Sequence, residues 1–253
     1  MDERTVKYGA KLGLIVPSLN TIMEFEMQRM AAGAMSIHTT RISAHTTGTR
    51  TAVGTRENLL WMDTQVGEAA KLLAHAKVDV IFFGCTAGGV VKGPGADQDI
   101  IRAITDATGT PGGTTIAATC DALRALGAAQ VSVASPYEQW LNDHLRSFLE
   151  KSGFRVNAIE GFAADAKVAV GPQHADRVTP QQVADLAVAV DRPQAQAIFI
   201  SCTNFRTLEI IEPLEQKLGK PVLTATSVSM WKMLRLAGDT RAIAGGGELF
   251  RRA

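Results

Sequence analysis

Val78-Asp-Val-Ile-Phe-Phe-Gly84, running into Cys85-Thr86, and Ala197-Ile-Phe-Ile-Ser201, running into Cys202-Thr203, are the two stretches that decide how this chain folds. Each is a short, nearly unbroken apolar run rich in β-branched and aromatic residues, the pattern of a strand covered on both faces. Working outward, similar runs occur at Leu12 to Val16, Ile37 to Ile42, Val131 to Ser135, Val156 to Glu160 and Pro221 to Thr224. Helical patterns lie between them. Glu57 to His75 puts Leu60, Val66, Leu72 and Leu73 on one broadly apolar face, Tyr137 to Leu149 repeats Leu141, Leu145, Phe148 and Leu149, and Thr179-Pro180 is a helix-start signal. Strands alternating with helices predict an α/β fold with parallel sheets.

The two halves also read as copies of one another. Leu14-Ile-Val-Pro17 has a counterpart in Val133-Ala-Ser-Pro136, each a strand ending at proline, and both copies then reach a strand ending in cysteine. Further on, a segment from Pro111 ends in Ala-Leu-Arg-Ala-Leu-Gly at Gly127, and one from Pro221 ends in Met-Leu-Arg-Leu-Ala-Gly at Gly238. The four landmarks Pro17, Cys85, Pro111 and Gly127 recur in the same order at offsets of 119, 117, 110 and 111 residues. A duplication of this length predicts two similar lobes about an approximate twofold axis, not a short-period solenoid.

Parallel α/β sheets bind ligands beyond the carboxyl ends of their strands. Cys85 and Cys202 both fall there, ahead of Thr-Ala-Gly-Gly and Thr-Asn-Phe-Arg. Unpaired backbone N–H groups and a helix dipole at these points are expected to lower each thiol from about 8.5 toward neutrality. A twofold axis relating the strand ends brings the thiols to opposite sides of one cleft. There they can work as a pair of acids and bases, or one can add to a substrate while the other moves the proton. Either task proceeds without metal or nucleotide. Taken singly, each cysteine reads equally well as a small buried hydrophobe, and Cys120, inside the helical pattern Ile116 to Leu126, is read that way. The same loops offer groups for a small carboxylic or dicarboxylic acid: Ser18, Asn20 and Thr21, Tyr137 and Asn142, and Thr86, Thr203 and Asn204. Each also has an ordinary structural reading, Ser18, Asn20 or Thr21 as a cap for a helix near Ile22 and Tyr137 as cover for a lobe edge.

Composition excludes other classes. The 26 basic and 25 acidic residues leave a formal charge of +1 with no basic stretch, so no nucleic-acid partner is expected. No apolar run approaches the roughly 20 residues of a bilayer span, so no membrane partner is expected either. The start, Met1-Asp-Glu-Arg-Thr5, is charged where a signal peptide turns apolar, and a cytoplasmic protein is expected. Three cysteines so far apart form neither a disulfide framework nor a structural zinc site, and His38, His45, His75, His144 and His174 lack metal-ligand spacing. No cofactor or metal is expected, and a homo-oligomer is left open. Ala87-Gly-Gly89 and Lys92-Gly-Pro-Gly95 lack P-loop order and are read as a flexible lid or tight turn. Gly245 to Gly247 and Arg251-Arg252 read as a loop and a solvated tail.

Ile15-Val-Pro-Ser-Leu-Asn-Thr-Ile-Met-Glu24, Gly-Cys-Thr at Cys85, Ser-Pro-Tyr at Tyr137 with Asn142, and Ser-Cys-Thr-Asn at Cys202 together resemble the aspartate/glutamate racemase superfamily, and within it the maleate cis-trans isomerase and arylmalonate decarboxylase branch. The likeness runs over nearly the whole chain. It implies two Rossmann-like lobes with the active site in the cleft between them, no cofactor, and a last helix that crosses back to the first lobe. Residues 1–114 with 226–253 would form the first lobe and 115–225 the second. It also implies that Cys85 is the nucleophile that adds to the double bond of maleate, that Cys202 transfers the proton, and that Asn20, Tyr137 and Asn142 hold carboxylates or an enolate-like intermediate. Departures bear on the substrate: Leu19 and Ile22 replace hydroxyl residues of the isomerase pattern, and Thr-Ala-Gly-Gly after Cys85 is nearer the racemase pattern. The decarboxylase pattern has glycine where this chain has Cys85, which argues against decarboxylation as the main activity. Isomerisation of maleate or a related unsaturated diacid is thus the first expectation, with an amino-acid or hydroxy-acid racemase, an arylmalonate-type decarboxylase and a non-catalytic carboxylate-binding protein as alternatives.

Overall fold

Among the described residues, eight strands divide into two sheets of identical topology. Lys11–Pro17 (β1), Ser36–Ile42 (β2), Val80–Phe83 (β3) and Gly112–Thr114 (β4) form the first in the order β2-β1-β3-β4, and Gln130–Ala134 (β5), Arg155–Glu160 (β6), Ala197–Ile200 (β7) and Val222–Thr224 (β8) form the second in the order β6-β5-β7-β8. Every pairing is parallel, and the registers correspond: Leu14 is opposite Phe82 in one sheet and Val133 opposite Phe199 in the other. All four residues of β3 and of β7 are buried, as their unbroken apolar runs require. The structure, a computed structural model, describes residues 9–44, 54–162 and 172–253; His45 and the charged residues 1–5 lie outside them.

Helices α1 (Met23–Ala31), α2 (Arg56–Asp63), α3 (Val66–His75), α4 (Thr86–Val90), α5 (Ala96–Thr108) and α6 (Thr115–Ala125) connect or follow the strands of the first sheet. The remainder are α7 (Gln139–Lys151), α8 (Pro180–Val190), α9 (Ile211–Leu218), α10 (Ala225–Leu236) and α11 (Glu248–Arg252). Leu141, Leu145, Phe148 and Leu149 of α7 are all buried, and Thr179 opens α8 with a reciprocal capping box to Gln182. Among the described residues no helix is long and apolar enough to cross a membrane.

The twofold relation is visible in side chains. Thr114 ends β4 and caps α6 by accepting from Ala117 N at 3.3 Å, and Thr224 ends β8 and caps α10 by accepting from Ser227 N at 3.1 Å. The two helices pack on each other, joined by the Thr115 and Ser229 hydroxyls at 3.0 Å, and α10 also packs on α1 and β3 of the first sheet. Each ends at a left-handed glycine, Gly127 or Gly238, which are the landmarks of the repeat.

Three sequence expectations need correction. The expected strands miss β4, because Gly112-Gly113 carries no β propensity. Glycine is required there, since a Cβ on Gly113 would lie 2.3 Å from the Phe82 ring. The single helix expected from Glu57 to His75 is broken into α2 and α3. The Thr64 hydroxyl closes α2 on Trp61 O at 2.7 Å, and the Gln65 amide accepts from Ser43 N and donates to Ser43 O, both at 3.0 Å, tying the break to the end of β2. The two segments therefore bury different faces, and Leu72 is 62% exposed. Lastly, Ala87-Gly-Gly89 is neither lid nor turn but the buried interior of α4, whereas Gly93 and Gly95 do take the positive φ of a turn.

Candidate active site

Four loops, each beyond the carboxyl end of a strand, converge on one pocket. Pro17 ends β1 and Leu19 and Asn20 follow it, Cys85, Thr86 and Ala87 follow β3, Tyr137 follows β5, and Cys202, Thr203 and Asn204 follow β7, with Ala44, Gly54, Asn58, Leu59 and Met62 closing the remaining wall. The two cysteines thus occupy equivalent places in the two lobes and face the same space.

Cys85 is the N-cap of α4, and its Sγ accepts the Gly88 N–H at 3.4 Å. Gly84 before it permits the close approach of α1, for a Cβ there would meet Met23 Sδ at 2.5 Å. Cys202 is held differently. No helix starts behind it, contrary to the sequence expectation; its backbone instead has φ +119°, a conformation that costs a non-glycine residue about 1 to 3 kcal/mol and persists only where its surroundings enforce it. Here they do: Phe205 N donates to Cys202 O at 3.3 Å, Thr203 Oγ1 to Gly84 O at 3.1 Å, and Asn20 Nδ2 to Thr203 Oγ1 at 2.9 Å.

The expected drop in thiol pKa does not occur in the folded chain. Burial pushes both Cys85 and Cys202 up to about 12. Backbone N–H groups of Gly88 and Ala87 at Cys85, and of Asn204 and Phe205 at Cys202, act in the expected direction but are outweighed by loss of water. Each thiol therefore rests protonated, with donors already aimed at the sulfur. Cys85 also raises Cys202, so a second thiolate is disfavoured once one forms. Tyr137 belongs to the same cluster. Its hydroxyl accepts from Ser201 Oγ at 3.4 Å and supports Cys202, and burial and the two thiols hold it well above the usual tyrosine range.

Of the sequence candidates, Cys85, Cys202, Asn20, Thr86, Tyr137, Thr203 and Asn204 line the pocket; Ser18, Thr21 and Asn142 do not. Ser18 Oγ accepts from Ala44 N at 3.0 Å, and Thr21 N donates to Asn204 Oδ1 at 3.0 Å. Asn142 accepts from Ser135 Oγ at 2.6 Å and donates to Tyr137 O at 3.2 Å, so it braces the loop that carries Tyr137. Asn20 is committed too, its Oδ1 accepting from Ile22 N and Met23 N as the opening of α1. That leaves Asn204 Nδ2 and the buried Thr86 hydroxyl, which lies beside Tyr137 but meets no partner at full hydrogen-bond geometry among the described residues, as the donors open to an anion. The apolar wall of Leu19, Leu59 and Met62 was not among the candidates; the i, i+3 spacing of Leu59 and Met62 is the signal that marks it. Among the described residues no group of three or more His, Cys, Asp or Glu could hold a metal ion.

Sequence reading also passes over Glu26 on α1. Its carboxylate is 1% exposed and reaches across the lobes to accept from Leu208 N at 2.7 Å, from Thr207 N, and from the Thr207 hydroxyl at 3.1 Å. These bonds tether the segment that leads away from Cys202. Burial raises the Glu26 carboxyl, with the Leu208 and Thr207 N–H groups opposing. Glu26→Ala would leave those donors buried without a partner and is expected to lower the unfolding free energy in urea by about 2 to 4 kcal/mol. A loss under about 0.5 kcal/mol would show that the tether is dispensable.

The family model for arylmalonate decarboxylase matches residues 12–250 of this chain. The chain is 28% identical to the maleate isomerase of Nocardia farcinica over 251 residues, 95% of each protein, and 30% identical to the arylmalonate decarboxylase of Bordetella bronchiseptica over 197 residues, 75% of this chain and 78% of that one. Among solved structures, a cysteine-to-serine variant of the Nocardia farcinica maleate cis-trans isomerase with a covalently bound succinylcysteine intermediate superposes with a TM-score of 0.87 at 26% identity, covering 96% of this chain and 99% of that one.

Proposed function

The chain belongs to the arylmalonate decarboxylase family, and from that membership we propose that it is a cofactor-independent cis-trans isomerase of maleate or a closely related small unsaturated dicarboxylate. The observation that carries this reading is the pair of cysteines at equivalent strand ends, lining one pocket. Maleate isomerase relatives that align over nearly their full length support it, as does the succinylcysteine held by the Nocardia farcinica variant. Decarboxylation is disfavoured by Cys85 itself, because the decarboxylase pattern has glycine there.

In this reading the Cys85 thiolate adds to C2 of maleate. The electron pair of the double bond moves toward C3 and its carboxylate, and Cys202, still protonated, gives its proton to C3. The product is a succinyl thioether on Cys85 with a single C2–C3 bond, about which the two halves rotate. The Cys202 thiolate then takes a proton back from C3, the double bond re-forms as fumarate, and Cys85 leaves as thiolate. No electrons or protons are lost over the cycle. The rise that Cys85 imposes on Cys202 suits it, since one thiolate and one thiol is the charge state in which the cycle begins and ends, and at no stage are two thiolates required. Thr86 and Asn204 Nδ2 are assigned to the substrate carboxylates, with the Tyr137 hydroxyl beside the carboxylate that accumulates charge. Residues 1–114 with 226–253, and 115–225, are assigned as the two lobes that close on it.

Proton NMR of maleate incubated with metal-free protein tests the proposal. Loss of the maleate vinyl signal with equal growth of fumarate is the expected result. Absence of turnover by the folded wild-type protein, with maleate and with its 2-substituted homologues, would remove it.

A further inference from the structure

Asp63 closes α2 immediately after Met62, which lines the pocket, and its side chain is 4% exposed. It lies against the helical turn that carries Cys85. A Cβ on Gly88 would come within 3.3 Å of Asp63 Oδ1, and the N–H of that same Gly88 points to Cys85 Sγ. On the other side Lys92, two residues past the end of α4 and 41% exposed, brings Nζ to 3.1 Å from Oδ2. Apart from this ion pair neither carboxylate oxygen has a hydrogen-bond partner among the described residues. A buried carboxylate with one half-exposed cation and no N–H donors is a poor structural element; asparagine or an apolar residue would fill the space at lower cost.

We propose that Asp63, clamped by Lys92, is a positioning residue that tunes the Cys85 thiol through its charge: ionised, it adds to the cost of forming the thiolate, and neutralised, it removes that part of the cost. The charged and titratable groups that face Asp63 among the described residues are Lys92 and Cys85, on either side of α4, the one helix that packs closely on α2. Burial raises the Asp63 carboxyl to about 6, with Lys92 pulling it down, and the Asp63 charge adds to the burial that raises Cys85. The sign follows: as pH climbs through about 6, Asp63 gains its charge and Cys85 becomes harder to ionise. An anionic substrate entering beside Met62 raises Asp63 further, so that it takes up a proton and one opposing charge behind the nucleophile disappears. Substrate binding and thiol activation are thereby linked.

This role rests on Cys85 being the nucleophile, but its test reads the thiol and not turnover, so the two fail separately. Full-length wild-type and Asp63→Asn proteins, without substrate, are treated with iodoacetamide across a pH series, and the Cys85 and Cys202 peptides are quantified by mass spectrometry. Asp63→Asn is expected to raise the Cys85 alkylation rate about 3- to 10-fold at about pH 8, the effect of one removed charge at short range in a partly desolvated site, and to leave Cys202 within about twofold. A parallel rise at both cysteines would mean that the substitution merely loosens the pocket, and an unchanged or slower Cys85 would mean that the Asp63 charge does not reach the thiol. Either result overturns the proposal. Circular dichroism and thermal unfolding of the near-isosteric variant establish that the comparison is between folded proteins.

Discussion

Cys85→Ala is expected to lower maleate turnover by more than about 10⁴-fold, the largest effect of any single substitution in this chain. Addition to the double bond needs a sulfur at one definite place, and the structure offers no understudy. Cys202 stands on the opposite lobe, and Cys120 is buried on α6 outside the pocket. The fold should tolerate the change, because the thiol packs in a site with room for a methyl group and Thr86 still begins α4. Progress curves followed by NMR and an unfolding curve on the same sample check both halves of this statement. Activity within tenfold of wild type would end the nucleophile assignment, whatever the stability.

Cys202→Ser is expected to behave differently. Addition through Cys85 remains possible, but the proton that C3 must gain and lose has no thiol to carry it. A slower rate by about 10² to 10⁴ follows, together with a stalled adduct. Intact-mass analysis after incubation with maleate should therefore find a fraction of the protein heavier by one maleic acid, mapping to the Cys85 peptide. The hydroxyl keeps the shape of the site and leaves the φ +119° backbone at this position unchanged, so stability should move little. An adduct on another residue, or full activity without any adduct, would sink the division of labour between the two thiols.

The resting thiols and the proposed thiolate chemistry agree once the substrate is counted. A value of about 12 describes each sulfur as burial among protein atoms alone sets it. The N–H groups at Gly88 and Ala87, and at Asn204 and Phe205, are fixed before any reaction, so stabilising a thiolate there needs no reorganisation. The remaining opposition comes from burial at both sulfurs, from Cys85 at Cys202, and from Asp63 at Cys85. Of these, Asp63 is the one whose charge can change on binding.

Much of this was written along the chain. The apolar runs ending at Cys85 and Cys202 fixed two parallel strands, and the recurrence of Pro17, Cys85, Pro111 and Gly127 fixed the duplication, because local periodicity and repeats survive without knowledge of contacts. They also fixed the placement of both thiols at strand ends, and hence their meeting. What the sequence could not decide were the outcomes that depend on neighbours distant in the chain. Asn142 reads as a binding residue until its amide is seen bracing Ser135 and Tyr137, and nothing along the chain marks Glu26, which accepts from Thr207 and Leu208 of the other lobe. Gly112-Gly113 looks like a loop until the Phe82 ring occupies the place of a side chain. The same holds for the thiols: the N–H groups just after each cysteine that lower a pKa are local and legible, whereas the desolvation that overrides them is the sum of everything packed around the sulfur, and only the folded chain sets that sum.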